Sequence, residues 1–165
     1  MTKTLDLGCG TNPKNPFKAD ELYGVDIRAS QNPKILSADL ATDPIPFESN
    51  FFDFCSAFDF IEHIPRIIYK PERKFSFVDL MSEIYRVLKP GGEFLSFTPA
   101  FPSAVAFRDP THVNFITEET FPLYFDNKIC WAKMYGFNGG FEIKMQKWHE
   151  NKINLVTVLK KPMGK

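Results

Sequence analysis

No uninterrupted apolar run of about 18 residues occurs in the 165-residue chain, so no membrane-spanning helix is expected. A secretory leader pattern is also missing. Cysteine is scarce: Cys9, Cys55 and Cys130 stand far apart and are odd in number. That excludes a disulfide framework and a cysteine-based zinc site, and a reduced, cytoplasmic setting is expected. Net charge is absent too, because 20 Lys and Arg balance 20 Asp and Glu. Without an overall field to gather phosphate backbones, nucleic acid is not expected as a partner, a local basic patch apart. No repeat, low-complexity tract or linker divides the chain. Its length suits one domain, residues 1–165, with a core of its own, and is too short for two.

Phenylalanine, by contrast, is abundant at 18 residues, which forecasts an aromatic core and an aromatic-lined pocket. Apolar runs at 4–7, 23–27, 34–37, 51–58 and 93–98 read as strands, and their near-continuous hydrophobicity suits a parallel sheet buried on both faces. Phe77, Leu80, Met81, Ile84, Tyr85 and Leu88 recur at helical spacing, and Lys89-Pro-Gly-Gly92 reads as the stop after that helix. Pro13 and Pro16 leave little room for a helix between the first two strands. A long loop covers 99–114, and Thr117 is a plausible N-cap for a short helix over 118–125. Residues 141–148 and 154–159, split by the polar segment 149–152, read as a closing hairpin. The expected fold is α/β, a mostly parallel sheet with an antiparallel edge.

Thr4-Leu-Asp-Leu7 runs into Gly8-Cys-Gly10, where glycine lets a backbone approach a ligand closely. Asp26 follows Asp6 by 20 residues, at the end of the second strand, a spacing that suits a carboxylate holding ribose hydroxyls. The third glycine of a dinucleotide fingerprint is missing, since Pro13 occupies its place. A nucleoside ligand without a pyrophosphate fits better than a nicotinamide dinucleotide.

The ordered set Asp6-Leu-Gly-Cys-Gly10, Gly24-Val-Asp-Ile27, Ala38-Asp-Leu40, Phe52-Asp-Phe54 to Ile61-Glu-His-Ile64, and Tyr85-Arg-Val-Leu-Lys-Pro-Gly-Gly92 resembles the class I S-adenosylmethionine-dependent methyltransferases. Within them it is similar to the subgroup near the ubiquinone-pathway and sugar methyltransferases. The resemblance implies a Rossmann-like seven-stranded sheet with an antiparallel last strand, here with its first inter-strand helix truncated. It implies S-adenosylmethionine as cofactor. Asp6, Gly8 and Gly10 would form the first cofactor motif, the two glycines passing the methionine part. Asp26 would hold the ribose and Ile27 would pack on the adenine. Asp39 and Leu40 would meet the adenine edge, and the Phe58 backbone would lie near the cofactor's amino group. The first strand begins close to Met1. An open cofactor pocket is therefore expected, covered by the 99–114 loop, by a second copy in a homodimer, or by another partner chain.

Chemistry is expected just past strand four, where ligands gather at the carboxyl ends of parallel strands. Asp59, Glu62 and His63 could share one helical face there, and His112 lies in the loop after strand five. The set resembles the metal-assisted small-RNA 2′-O-methyltransferases, with Asp59 in place of a glutamate. Asp59, Glu62, His63 and His112 would then hold a divalent cation that lowers the acceptor's pKa. Without metal, His63 serves as base or positioning residue, with Glu62 and His112 beside it. In plainer readings His112 bonds loop backbone, Asp109-Pro110 starts a turn, and His149 is a solvated hairpin residue. Phe101, Phe107, Phe115, Phe121, Tyr124 and Phe125 line an acceptor cavity or form core under the loop. The leading expectation is O-methylation of a small-molecule or saccharide hydroxyl. The alternatives are 2′-O-methylation of an RNA end and a non-catalytic cofactor-binding subunit.

Overall fold

A computed structural model describes residues 1–164; Lys165, the last residue of the expected domain, lies outside the described residues. Seven strands form one sheet: β1 (Lys3–Leu7), β2 (Glu21–Asp26), β3 (Ile35–Ser37), β4 (Phe52–Phe58), β5 (Leu88–Pro99), β6 (Glu142–Trp148) and β7 (Asn154–Lys160). Their order across the sheet is β3-β2-β1-β4-β5-β7-β6. The pairs among β1 to β5 are parallel, and β7 runs antiparallel to both β5 and β6. The fold is the expected Rossmann-like α/β sheet with an antiparallel last strand. That strand lies inside the sheet, however, and β6 forms the edge.

Hydrophobic period explains the main helix, α1 (Ser76–Val87), which buries Phe77, Leu80, Met81, Ile84 and Val87. It ends one residue before the expected stop. The chain then enters β5 directly, and Lys89-Pro-Gly-Gly92 lies within the strand. Gly92 permits this: a Cβ there would lie 3.0 Å from the Asp53 carbonyl oxygen of the neighbouring strand.

None of the connections β1–β2, β2–β3 and β3–β4 contains a helix among the described residues. In the first, the Phe17 ring stacks on Phe54 of β4 at 4.5 Å, doing with one side chain what a helix would do with a face. The loop after β5 holds a four-residue helix, α2 (Val105–Arg108), and α3 (Thr120–Tyr124) is shorter than the 118–125 expected. Thr117 nonetheless holds the first turn as a cap does: the Glu119 amide donates to Thr117 Oγ1, and the Thr117 amide donates back to Thr120 Oγ1. Asn151 closes the hairpin between β6 and β7 by accepting the Ile153 and Asn154 amides. All three cysteines are free thiols. No described helix is long and apolar enough to cross a membrane.

Candidate active site

The carboxyl ends of β1, β2 and β3 and the segment after β4 enclose a cleft of about 340 Å³. Gly8, Asp26, Ile27, Asp39 and Leu40 line it, so five of the expected cofactor residues come together there. Ile27 is 66% exposed, an apolar side chain offered to the cleft. Asp26 is buried, and its carboxylate accepts bonds from the Gly10 amide (2.7 Å), the Arg28 amide (3.0 Å) and Arg28 Nε (2.9 Å). Burial pushes the Asp26 carboxyl up, but the Arg28 and Gly10 donors together outweigh it and hold the group below its ordinary range.

Three of the expected cofactor residues, Asp6, Gly10 and Phe58, are not among those that line the cleft, although the contacts expected of Gly10 and Phe58 are through the backbone. Asp6 is sealed beneath the glycine turn, where its oxygens accept the Lys14 amide (2.7 Å) and the Ser56 hydroxyl (2.7 Å). Burial is the larger influence on it and raises its pKa. It ties the turn to β4 and does not line the cleft. Gly10 lies at the far side of Asp26, where the Arg28 guanidinium stands over it: a Cβ on Gly10 would lie 3.2 Å from Arg28 Nη2. Phe58 turns its ring to Lys14 Nζ, 4.4 Å from the ring centre, and to Phe97. Gly8 carries φ +65°, and the Phe60 ring packs where its Cβ would be. The glycine there is required by Phe60 as well as by the turn.

A nucleoside fits this cleft. The carboxylate sits at its edge, an apolar platform lies beside it, and no phosphate cradle is needed. Arg28 occupies the Asp26 carboxylate, and with its side chain 74% exposed it can leave Asp26 for water.

A polar cluster adjoins the cleft. Glu62 and His63 lie on a short 3-10 turn, Ile61–His63, and His112 comes from the loop after α2. One ligand atom from each of Glu62, His63 and His112 lies within 4.8 Å of the others. Asp59 does not belong to the group. It has φ +47°, so no helical face connects it to Glu62, and its carboxylate accepts a bond from Asn154 Nδ2 at 2.9 Å. The expected four-residue metal set therefore reduces to three.

Glu62 is only 1% exposed. One carboxyl oxygen accepts the Thr98 hydroxyl at 2.8 Å, and the other, Oε1, has no partner. Burial pushes its carboxyl up to about 7, with the nearby Asp59 charge adding to the rise. His63 Nδ1 lies 3.0 Å from Thr111 Oγ1, which in turn lies 2.7 Å from Asp109 Oδ1. Since the Asp109 carboxylate can only accept, Thr111 donates to it and accepts from His63 Nδ1–H. The other ring nitrogen, Nε2, is then left with a lone pair. His112 Nδ1 lies 3.3 Å from the Ala106 carbonyl and donates to it, which leaves its Nε2 as the second acceptor nitrogen. The plain reading of His112 as a loop-bonding residue thus holds for one nitrogen. Asp109 also starts the expected turn by accepting the Thr111 amide.

The methyltransferase domain family model matches residues 5–96. The chain belongs to the methyltransferase domain family. The family is one of methyltransferase enzymes, and S-adenosylmethionine is the cofactor it implies. Its fold is similar to that of an S-adenosylmethionine-dependent methyltransferase from Methanosarcina mazei, with a TM-score of 0.62, 18% identity, and 98% and 93% of the two chains covered. It is also similar to the [4+2]-cyclase SpnF, with a TM-score of 0.63, 16% identity and 99% and 75% covered. A third similar structure is a Haloferax volcanii complex of the Trm112 methyltransferase activator with a methyltransferase, with a TM-score of 0.62, 14% identity and 99% and 83% covered. No curated protein matches the sequence.

Arg28, Phe60, Thr98, Asp109 and Thr111 complete the site, and sequence reasoning gave none of them these roles. Arg28, two residues past Asp26, and Asp109, in Asp109-Pro110, had local signals.

Proposed function

We propose that this methyltransferase methylates a hydroxyl of a small molecule or saccharide, with His63 as the base that takes the hydroxyl proton. The supporting observation is the Asp109–Thr111–His63 chain of contacts, which fixes the imidazole tautomer and leaves Nε2 as proton acceptor. The cofactor supplies an electrophilic sulfonium methyl, and Asp26, Ile27, Asp39 and Leu40 would hold its nucleoside. The protein's own share is mostly position: His63 lines the same cleft as these residues, so acceptor and cofactor sites adjoin. The family subgroup near the ubiquinone-pathway and sugar methyltransferases, a single domain over 1–165 and a cytoplasmic setting belong to this reading.

A second arrangement is supported by Glu62 Oε1, a buried oxygen without a partner beside two histidines. A divalent cation held by Glu62, His63 and His112 would occupy that oxygen and lower the acceptor's pKa, as in 2′-O-methylation of RNA. The zero net charge weighs against an RNA acceptor. A homodimer or an activating partner chain over the open cleft is a further part of the reading, in line with the complex seen in the Haloferax relative.

The test is a radiolabelled methyl-transfer screen over phenols, saccharides and short RNAs, repeated with His63→Ala and with EDTA. A loss of about 10²- to 10⁴-fold in His63→Ala, with EDTA harmless, is the expected result. Full activity in His63→Ala overturns the base role. Loss of activity in EDTA, restored by Mg²⁺ or Mn²⁺, transfers support to the metal arrangement.

A further inference from the structure

A second cavity, of about 270 Å³, opens on the α1 side of the polar cluster. Phe75, Phe77, Tyr124, Phe125 and Tyr135 form its aromatic walls, and Arg66 stands at its rim. The rings pack on one another, one pair edge to face and one pair tilted at 54°. Phe77 meets Phe125 at 5.4 Å and 82°, and Phe75 meets Tyr135 at 5.2 Å. The cavity's walls are thus mostly aromatic faces and edges, which suit an aromatic guest.

Arg66 is unusual in what it bonds. Its Nε donates to Asn114 Oδ1 at 2.9 Å and its Nη2 to the Phe115 carbonyl, both neutral oxygens. Among the described residues, none of the ion pairs includes Arg66. Its outer side reaches solvent, yet surrounding protein lowers its pKa by desolvation. A cation in that position has unmet demand for a negative partner, and the planar guanidinium suits a planar carboxylate.

The rim is also tied to the polar cluster. Asn114 Nδ2 donates to the Ile61 carbonyl at 3.0 Å, and the Asn114 amide donates to the Glu62 carbonyl at 3.0 Å. A ligand that pulls on Arg66 therefore pulls on the segment that carries Glu62 and His63.

We infer that this cavity binds a flat aromatic carboxylate, its ring between the aromatic walls and its carboxylate on Arg66. This goes beyond the assignment of His63, and binding is read without methyl transfer, so it succeeds or fails separately from the proposed reaction.

The experiment is a ligand-observed NMR titration of the full chain with 2-naphthoate and with its neutral counterpart 2-naphthamide. The expected result is saturable binding of 2-naphthoate, at least about tenfold tighter than 2-naphthamide. In Arg66→Gln that preference should vanish while the amide binds as before. Tyr135→Ala, which removes an exposed wall, should weaken both probes together. Added S-adenosylhomocysteine should leave naphthoate bound. Equal binding of the two probes overturns the inference, as does a preference that survives in Arg66→Gln or displacement by S-adenosylhomocysteine. No saturable binding up to about 5 mM does so as well. If Arg66→Gln does not fold, Tyr135→Ala decides: unchanged binding of both probes refutes the assignment, and weakened binding supports it.

Discussion

Replacing Glu62 by Gln tests the electrostatics at the centre of the polar cluster. Below about pH 4.5 the carboxyl is protonated in both the folded and the unfolded chain, and burial carries no ionic penalty. Between 4.5 and about 7 the unfolded chain releases the proton while the folded protein keeps it, so stability falls as pH rises. Above about 7 both states are ionised and the penalty is complete. Raising a carboxyl from 4.5 to about 7 corresponds to roughly 3 kcal/mol. Gln copies the protonated form, because its oxygen can accept the Thr98 hydroxyl and its amide takes the place of the unpartnered Oε1. Urea unfolding of both proteins across this range is the assay. Near pH 5 the two should be about equally stable, and near pH 8.5 the Gln variant should be more stable by about 2–3 kcal/mol. In thermal melts that is roughly 5–10 °C for a chain of this size. A gap between the two proteins that stays constant from pH 5 to 8.5 would refute the reasoning.

Two other variants follow from the same geometry. Thr111→Val breaks the link from Asp109 to His63, so methyl transfer should fall by about tenfold or more and its pH profile should change shape. An unaltered profile would show that the link does not set the tautomer. Arg28→Ala frees Asp26, so S-adenosylhomocysteine should bind up to about fivefold more tightly by calorimetry. Weaker binding would mean that Arg28 serves the cofactor rather than competing with it.

The strands were legible where most of their residues are buried, which turns them into apolar runs, as in β1, where residues 4–7 are all buried. The helix was legible through the spacing of Phe77, Leu80, Met81 and Ile84, all buried on one side. Its end was harder to place. Lys89-Pro-Gly-Gly92 carries stop signals, and what makes it strand is the close approach of Gly92 to Asp53 in another strand. Strand order at the far edge also escaped, since a hairpin pattern does not say which of its strands joins β5.

The site was legible where its residues are local in the chain. Asp26, Ile27, Asp39 and Leu40 reach the cleft because each lies at or just past the end of a strand. The Asp59–Glu62–His63 spacing misled because one positive φ at Asp59 breaks the helical face on which that spacing depends. The contact of Thr111 with His63 spans 48 residues, and no spacing rule reaches that far. Asp6 looked like part of the cofactor motif, yet its carboxylate is spent on Lys14 and Ser56.

The most direct measurement follows the Ile27 δ1-methyl NMR signal as S-adenosylhomocysteine is added to the protein. Ile27 is exposed in the cleft beside Asp26, so a bound adenine ring should shift its methyl resonance strongly and saturably. The same titration with NADH should leave it in place. A methyl signal that does not move with S-adenosylhomocysteine, or that moves equally with NADH, would contradict a nucleoside site in this cleft.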